Sequence, residues 1–270
     1  MKINEKNTAL GLLTNMNEHT FRLVDDGGET TRLQKTNLGL SLVKAWPKMK
    51  DAFAGNIRYM CKSFYDAYEK SVQKLAAVLD SEPMEESGTL IFAPNSKETN
   101  TIFYDLSVTG KGRDFHAEGI MMVFSKPVDK DKPALAMLVQ RLHDGTVKEY
   151  ISKKARDHGT TDMTILADIY TLLLFIKYCD IETKVTSPQN RRTNVAGQKY
   201  LNETDKRISI LDSTWFTNLV VSGAFNVSGH LRWQHYGPGN SLKKLIWIDE
   251  FQKEGYTRKA KAITQNENNG

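Results

Sequence analysis

The strongest constraint on the fold is a change of hydrophobic period midway along the chain. Ile57, Met60, Phe64, Tyr68, Val72, Leu75 and Leu79 follow one another in steps of three and four, which predicts a helix over residues 57–80 with one apolar stripe. From residue 89 the pattern changes to short β-branched and aromatic runs at 89–93, 101–108, 119–124, 135–142 and 146–151, broken by Pro, Gly, Asn and Asp. Asp144-Gly145, between the last two runs, supplies the positive φ of a tight hairpin. Helical spacing returns at 161–178, where Met163, Leu166, Ala167, Tyr170, Leu173 and Leu174 share a face that Ile165, Ile169, Leu172 and Ile176 widen. The predicted fold class is α+β: an antiparallel sheet packed with two long helices, plus a basic C-terminal β-hairpin unit.

The flanks are less regular. The first 55 residues show a turn at Asp25-Asp26-Gly27-Gly28 and a helix near 38–54 that Pro47 must kink or split. Residues 180–207 lose periodicity and read as a long polar crossing loop, followed by strands at 208–211, 217–222, 229–235 and 242–251. The turn Tyr236-Gly237-Pro238-Gly239-Asn240-Ser241 joins the last two, with glycine on either side of the proline to permit the reversal. The expected organisation is a helical part over 1–88, a meander with a buried helix over 89–183, a basic loop and β unit over 184–262, and a frayed tail over 263–270, all in one compact domain.

With 40% apolar and 26% charged residues the chain can bury a sizeable core, which excludes a disordered protein. Its net charge of +5 is unevenly placed: residues 184–270 hold 13 Lys and Arg against 7 Asp and Glu, so the excess lies in the last third. A basic region interleaved with aromatics points to a polyanionic partner, most often nucleic acid. Cys61 and Cys179 lie far apart in apolar segments, which predicts buried thiols rather than a disulfide or zinc motif. The N-terminal residues lack the pattern of a signal peptide, and Lys177 stops the densest apolar run. An intracellular, cytoplasmic protein with no membrane association is expected, without cofactor or metal.

Chemistry concentrates after Val227. Strand alternation sets His230, Arg232 and Gln234 on one face and Leu231, Trp233 and His235 on the other. A row of His, Arg and Gln beside Lys243, Lys244 and Arg258 suits phosphate, because Arg forks onto two oxygens and Lys adds point charge. Arg191 and Arg192 in the crossing segment extend that set, and Trp233 or Tyr236 offers a ring on which a base can stack. The same residues also fit a plain β edge, with Trp215, Trp233 and Trp247 in the core and lysines solvating a strand. A sharper reading is metal-independent RNA cleavage, with His230 and His235 or Tyr236 as acid and base and Arg232 bracing the phosphorane. It needs a bulge or the glycine turn, since His230 and His235 differ by an odd number. His116, in the glycine-flanked 110–116 stretch, fits either a phosphate contact or an ordinary hairpin loop, and His143 and His158, beside turn residues, belong to no metal-ligand spacing.

The block Gly229-His230-Leu231-Arg232-Trp233-Gln234-His235-Tyr236-Gly237-Pro238-Gly239, followed by Leu245-Ile246-Trp247-Ile248, resembles the C-terminal signature of a family carried by phages and plasmids. Its characterised member is a type V anti-CRISPR protein that suppresses synthesis of the CRISPR effector nuclease. Phe103-Tyr104-Asp105-Leu106-Ser107 is similar to an aromatic-Asp strand of that family, and 172–180 to its apolar helix, so the likeness spans about residues 89–252. This chain has Val227-Ser228 where that member has Arg-Arg. The resemblance implies an α+β protein that recognises a nascent target peptide and causes loss of the message encoding it. His230, Arg232, Gln234, Tyr236, Gly237 and Gly239 would then contact RNA or the ribosome. The expected function is accordingly a mobile-element inhibitor of a host defence protein, with RNA or ribosome and a nascent or mature target protein as partners. A ribonuclease centred on His230 and a non-catalytic protein-binding adaptor are the alternatives.

Overall fold

A computed structural model describes residues 1–14, 22–24, 30–32, 37–66, 68–69, 72, 82–95, 97–110, 116–128, 133–151, 162–178, 181–189, 191–195, 197–212, 226–227, 230–248 and 251–252. It is a mixed α/β protein dominated by strands, with one large sheet and few helices. The expected strand at 217–222, the tail at 263–270, Cys179 and Arg258 lie outside the described residues.

The sheet is built on a meander of β5 (Met84–Asn95), β6 (Glu98–Thr109), β7 (His116–Pro127), β8 (Ala134–Arg141) and β9 (Val147–Ile151), each antiparallel to the next. These are the five β-branched runs of the sequence, lengthened at their ends. On one side β5 continues into β4 (Ile57–Met60), β13 (Ile208–Asp212) and β10 (Glu182–Thr186); on the other, β8 pairs with β2 (Arg22–Val24), which carries β3 (Thr30–Arg32).

Two expectations need correction. Residues 57–60 are a strand, not the first turn of a helix: β4 lies between β13 and β5, parallel to both, with Ile57, Tyr59 and Met60 buried. Helix begins only at residue 62. Ile57 and Met60 fit helical spacing, but Gly55-Asn56 ends the preceding helix and a four-residue apolar run between two strand edges pairs its backbone on both sides. Residues 180–207 are likewise not a loop. They form β10, β11 (Arg191–Val195) and β12 (Gln198–Asn202), the last two joined across Gly197 at φ 75° in a three-stranded sheet with β1 (Lys2–Ile3). Their polar composition hides a sparse inward set of Thr186, Val195, Tyr200 and Asn202. The buried Asn202 amide donates to the carbonyls of Ser187 and Lys206, and its oxygen accepts from the Thr204 N–H and hydroxyl, so a polar core residue costs no unpaired group.

Both faces of the meander are covered over part of their length, which is why Ile102, Phe103 and Tyr104 are buried in succession. On one face lies α2 (Asn37–Gly55), which contains Pro47; Trp46 and Phe53 meet Phe103 at 5.6 and 5.5 Å between ring centres, and Phe124 lies 5.6 Å beyond Phe103. The short α1 (Gly11–Thr14) is tied to it, the Trp46 indole donating to the Leu12 carbonyl. Elsewhere Phe64 and Tyr68, from the segment after β4, pack edge-on against Phe175 of α3 (Asp162–Tyr178) at 5.4 and 5.6 Å. A third point of control is Gly119 in β7, at φ +149°, where a Cβ would sit 2.2 Å from the Asp105 carbonyl oxygen, so β6 and β7 approach as closely as they do only with glycine there.

Candidate nucleic-acid interface

The C-terminal hairpin pairs β15 (His230–Tyr236) with β16 (Leu242–Ile248) in unbroken register, Arg232 opposite Ile246, Trp233 opposite Leu245, Gln234 opposite Lys244 and His235 opposite Lys243. A single 3-10 turn at Pro238–Asn240 closes it, with Gly237 at φ 77° and Gly239 at φ 62°. Beside it β14 (Asn226–Val227) pairs with β17 (Phe251–Gln252).

Residues directly opposite share a face, so the register sorts the hairpin into two sides. One side docks on the end of α3: Leu245 is fully buried, and the Trp233 ring meets Tyr178 edge-on at 4.9 Å. Lys243 also lies on this side, its ammonium 4.8 Å from the Trp233 ring centre and 5.9 Å from that of Tyr178. Glu82 holds the end of α3 in place. Its carboxylate accepts from the Tyr178 hydroxyl and pairs with Lys177, while its backbone N–H donates to the Tyr170 hydroxyl at 2.7 Å. Burial, and then the Glu82 carboxylate, push the Tyr178 phenol above its ordinary range, which keeps it a hydrogen-bond donor.

The opposite side faces solvent. Arg232, Gln234 and Tyr236 are exposed there, Tyr236 at 44%, with Lys244 placing its ammonium 5.8 Å from the Tyr236 ring centre. No Asp or Glu occurs between Asp212 and Asp249, so the segment that carries these cations brings no carboxylate of its own. The arrangement offers a forked cation, a point charge, an amide and an open aromatic face along one ribbon, the set that backbone phosphates and an unstacked base require.

The structure therefore brings together Arg232, Gln234, Lys244 and Tyr236, and sets other candidates apart. His230 shares their face by register, whereas His235 points to the other, its Nδ1 3.3 Å from the Asn240 carbonyl oxygen. By strand position, then, His230 and His235 fall on opposite faces, whereas His230 and Tyr236 fall on the same one. Lys243 belongs to the docked side. Arg191 and Arg192 lie in a different sheet and, as consecutive residues of β11, on opposite faces of it, Arg192 exposed.

Two further clusters are visible only in three dimensions. Cys61, at the end of β4, contacts the Ser63 hydroxyl at 3.0 Å and donates to Asp212 Oδ1 at 3.2 Å. Burial raises its pKa, which favours the protonated thiol over the thiolate. The other cluster unites His116 and Glu118 of β7 with His143 of the β8–β9 turn. No sequence spacing signals it, because the third residue arrives through hairpin pairing.

No helix among the described residues is long and apolar enough to cross a membrane. Comparison with protein-family models, with curated proteins and with solved structures finds no match to this chain.

Proposed function

We propose that the chain binds single-stranded RNA through the exposed face of the β15–β16 hairpin, and that it uses this contact as a mobile-element inhibitor acting on the synthesis of a host defence protein. The observation that carries the RNA contact is the sorting of the hairpin: its apolar side is committed to Tyr178 of α3, which leaves Arg232, Gln234 and Tyr236 exposed on the other side, with Lys244 half-buried beside them. An exposed Arg and a half-buried Lys beside an open aromatic ring favour RNA over a protein partner whose recognition needs a buried apolar patch. The translational part of the reading comes from the resemblance of Gly229–Gly239 to the anti-CRISPR family, in which the target's nascent peptide is recognised and its message lost.

The test is a fluorescence-anisotropy titration with labelled single-stranded RNA across a range of salt. Each phosphate contact contributes a slope of about −0.7 in log K against log salt on a single strand, so Arg232→Ala with Lys244→Ala flattens the slope by roughly 1.4. A wild-type affinity that does not change with salt refutes the RNA contact. RNA sequencing of material captured with the protein from translating cells tests the second part: one coding message, or ribosomes, must be enriched over the double variant.

A further inference from the structure

We infer that His116, Glu118 and His143 form a binding site for one divalent transition-metal ion of the zinc class. One ligand atom from each lies within 4.8 Å of the other two. His116 and Glu118 are two apart on β7 and so share a face of the sheet, and His143 reaches them from the turn that follows β8. Its Nδ1 already stands 3.1 Å from Glu118 Oε2, close to the roughly 3.3 Å that separates ligand atoms around a tetrahedral ion with bonds of about 2.0–2.1 Å.

A plain ion pair between His143 and Glu118 would explain those two residues and leave His116 unexplained. The His116 Nε2 is sealed from solvent and has no hydrogen-bond partner among the described residues, although its ring packs edge-on against that of His143 at 5.5 Å between centres. An imidazole nitrogen in that position is stranded unless something takes up its lone pair or its proton, and a cation bound through Nε2 would take up the lone pair. The donor set selects the metal: two imidazoles with one carboxylate suit zinc, cobalt or nickel, whereas calcium and magnesium call for oxygen ligands alone.

The same face carries charges of both signs, Lys148 opposite Gln140, which lies opposite Ile120, and two carboxyl groups. In the sheet register Glu118 faces Ser107, which faces Glu85, and Asp105 lies on the same face opposite Ile120. Both carboxyl groups thus belong to the face that carries the site. The His143 side chain is 90% exposed, so the fourth position opens to water, and the ion would clip the β8–β9 turn onto β7.

The experiment uses the full chain without a histidine tag, stripped with chelator and titrated with Co2+ while its visible d–d absorption is followed, then with Zn2+ in competition. The expected result is uptake of one equivalent into a low-symmetry, strongly absorbing environment that Zn2+ bleaches. His116→Ala, Glu118→Gln and His143→Ala are each expected to weaken binding by more than about tenfold, the loss that even an outer-shell partner brings. His143 lies on an exposed turn, so its variant keeps the fold, which far-UV circular dichroism verifies for all three. A spectrum that stays that of the aqueous ion overturns the inference. So does a wild-type spectrum retained by His116→Ala or His143→Ala, since the ion would then be held elsewhere.

Discussion

Removal of the Trp233 ring tests how the hairpin is held. Trp233 is half-buried, meets Tyr178 at 4.9 Å and lies under the Lys243 ammonium at 4.8 Å. A fully buried Trp→Ala change costs about 3–5 kcal/mol, so half of that, about 2 kcal/mol, is the burial part here. The edge-on pair adds about 1 kcal/mol and the cation over the ring about 0.5 kcal/mol at an exposed site. Trp233→Ala is therefore expected to destabilise the docked hairpin by about 3.5 kcal/mol, measured by urea titration and by hydrogen exchange of the β15 amides. The pair itself is isolated by a double-mutant cycle with Tyr178→Leu. The hydroxyl contact from Tyr178 to Glu82 is lost in both backgrounds and cancels, leaving a coupling of about 1 kcal/mol. Additive single effects, with a coupling below about 0.3 kcal/mol, would refute the claim that this ring contact docks the hairpin.

Two further outcomes follow from the sheet. Gly119→Ala is expected to cost about 3 kcal/mol, since its Cβ meets the Asp105 carbonyl at 2.2 Å at a φ that side chains avoid. Gly145→Ala, with a positive φ but open space around it, costs only about 1 kcal/mol, and thermal melts of the two variants compare them directly. Asp105 has its pKa raised from the ordinary 3.8 by burial and by the neighbouring Glu85. A carboxyl whose folded pKa exceeds its unfolded value favours folding below the unfolded pKa and loses that contribution as pH rises through the folded one. Asp105→Asn is thus expected to melt higher than wild type at neutral pH, with the gap closing as pH falls toward 3.8; a gap independent of pH contradicts the assignment.

Among the candidate site residues, the alternation of Arg232, Gln234 and Tyr236 was readable because a regular strand repeats every two residues and the Gly-Pro-Gly turn admits one closure. Which side of that ribbon meets solvent was not, because it depends on where Tyr178 lies at the end of a helix more than fifty residues earlier. The joining of His116, Glu118 and His143 was hidden for the same reason: sequence separation says nothing about partners that a hairpin brings back.

The sequence by itself determined the meander and the helix at Asp162–Tyr178, since there the local period and the buried pattern agree and backbone hydrogen bonds are satisfied within the segment or by the next one. The tertiary structure decided the rest. Ile57–Met60 is a strand because the two edges of β13 and β5 are available to it, and Arg191–Asn202 is sheet because a few inward residues suffice once a neighbouring layer shields them. Local propensity is a sum over near neighbours, whereas strand pairing and burial are contacts between distant parts of the chain. Short or polar segments carry too little local free energy to resist them.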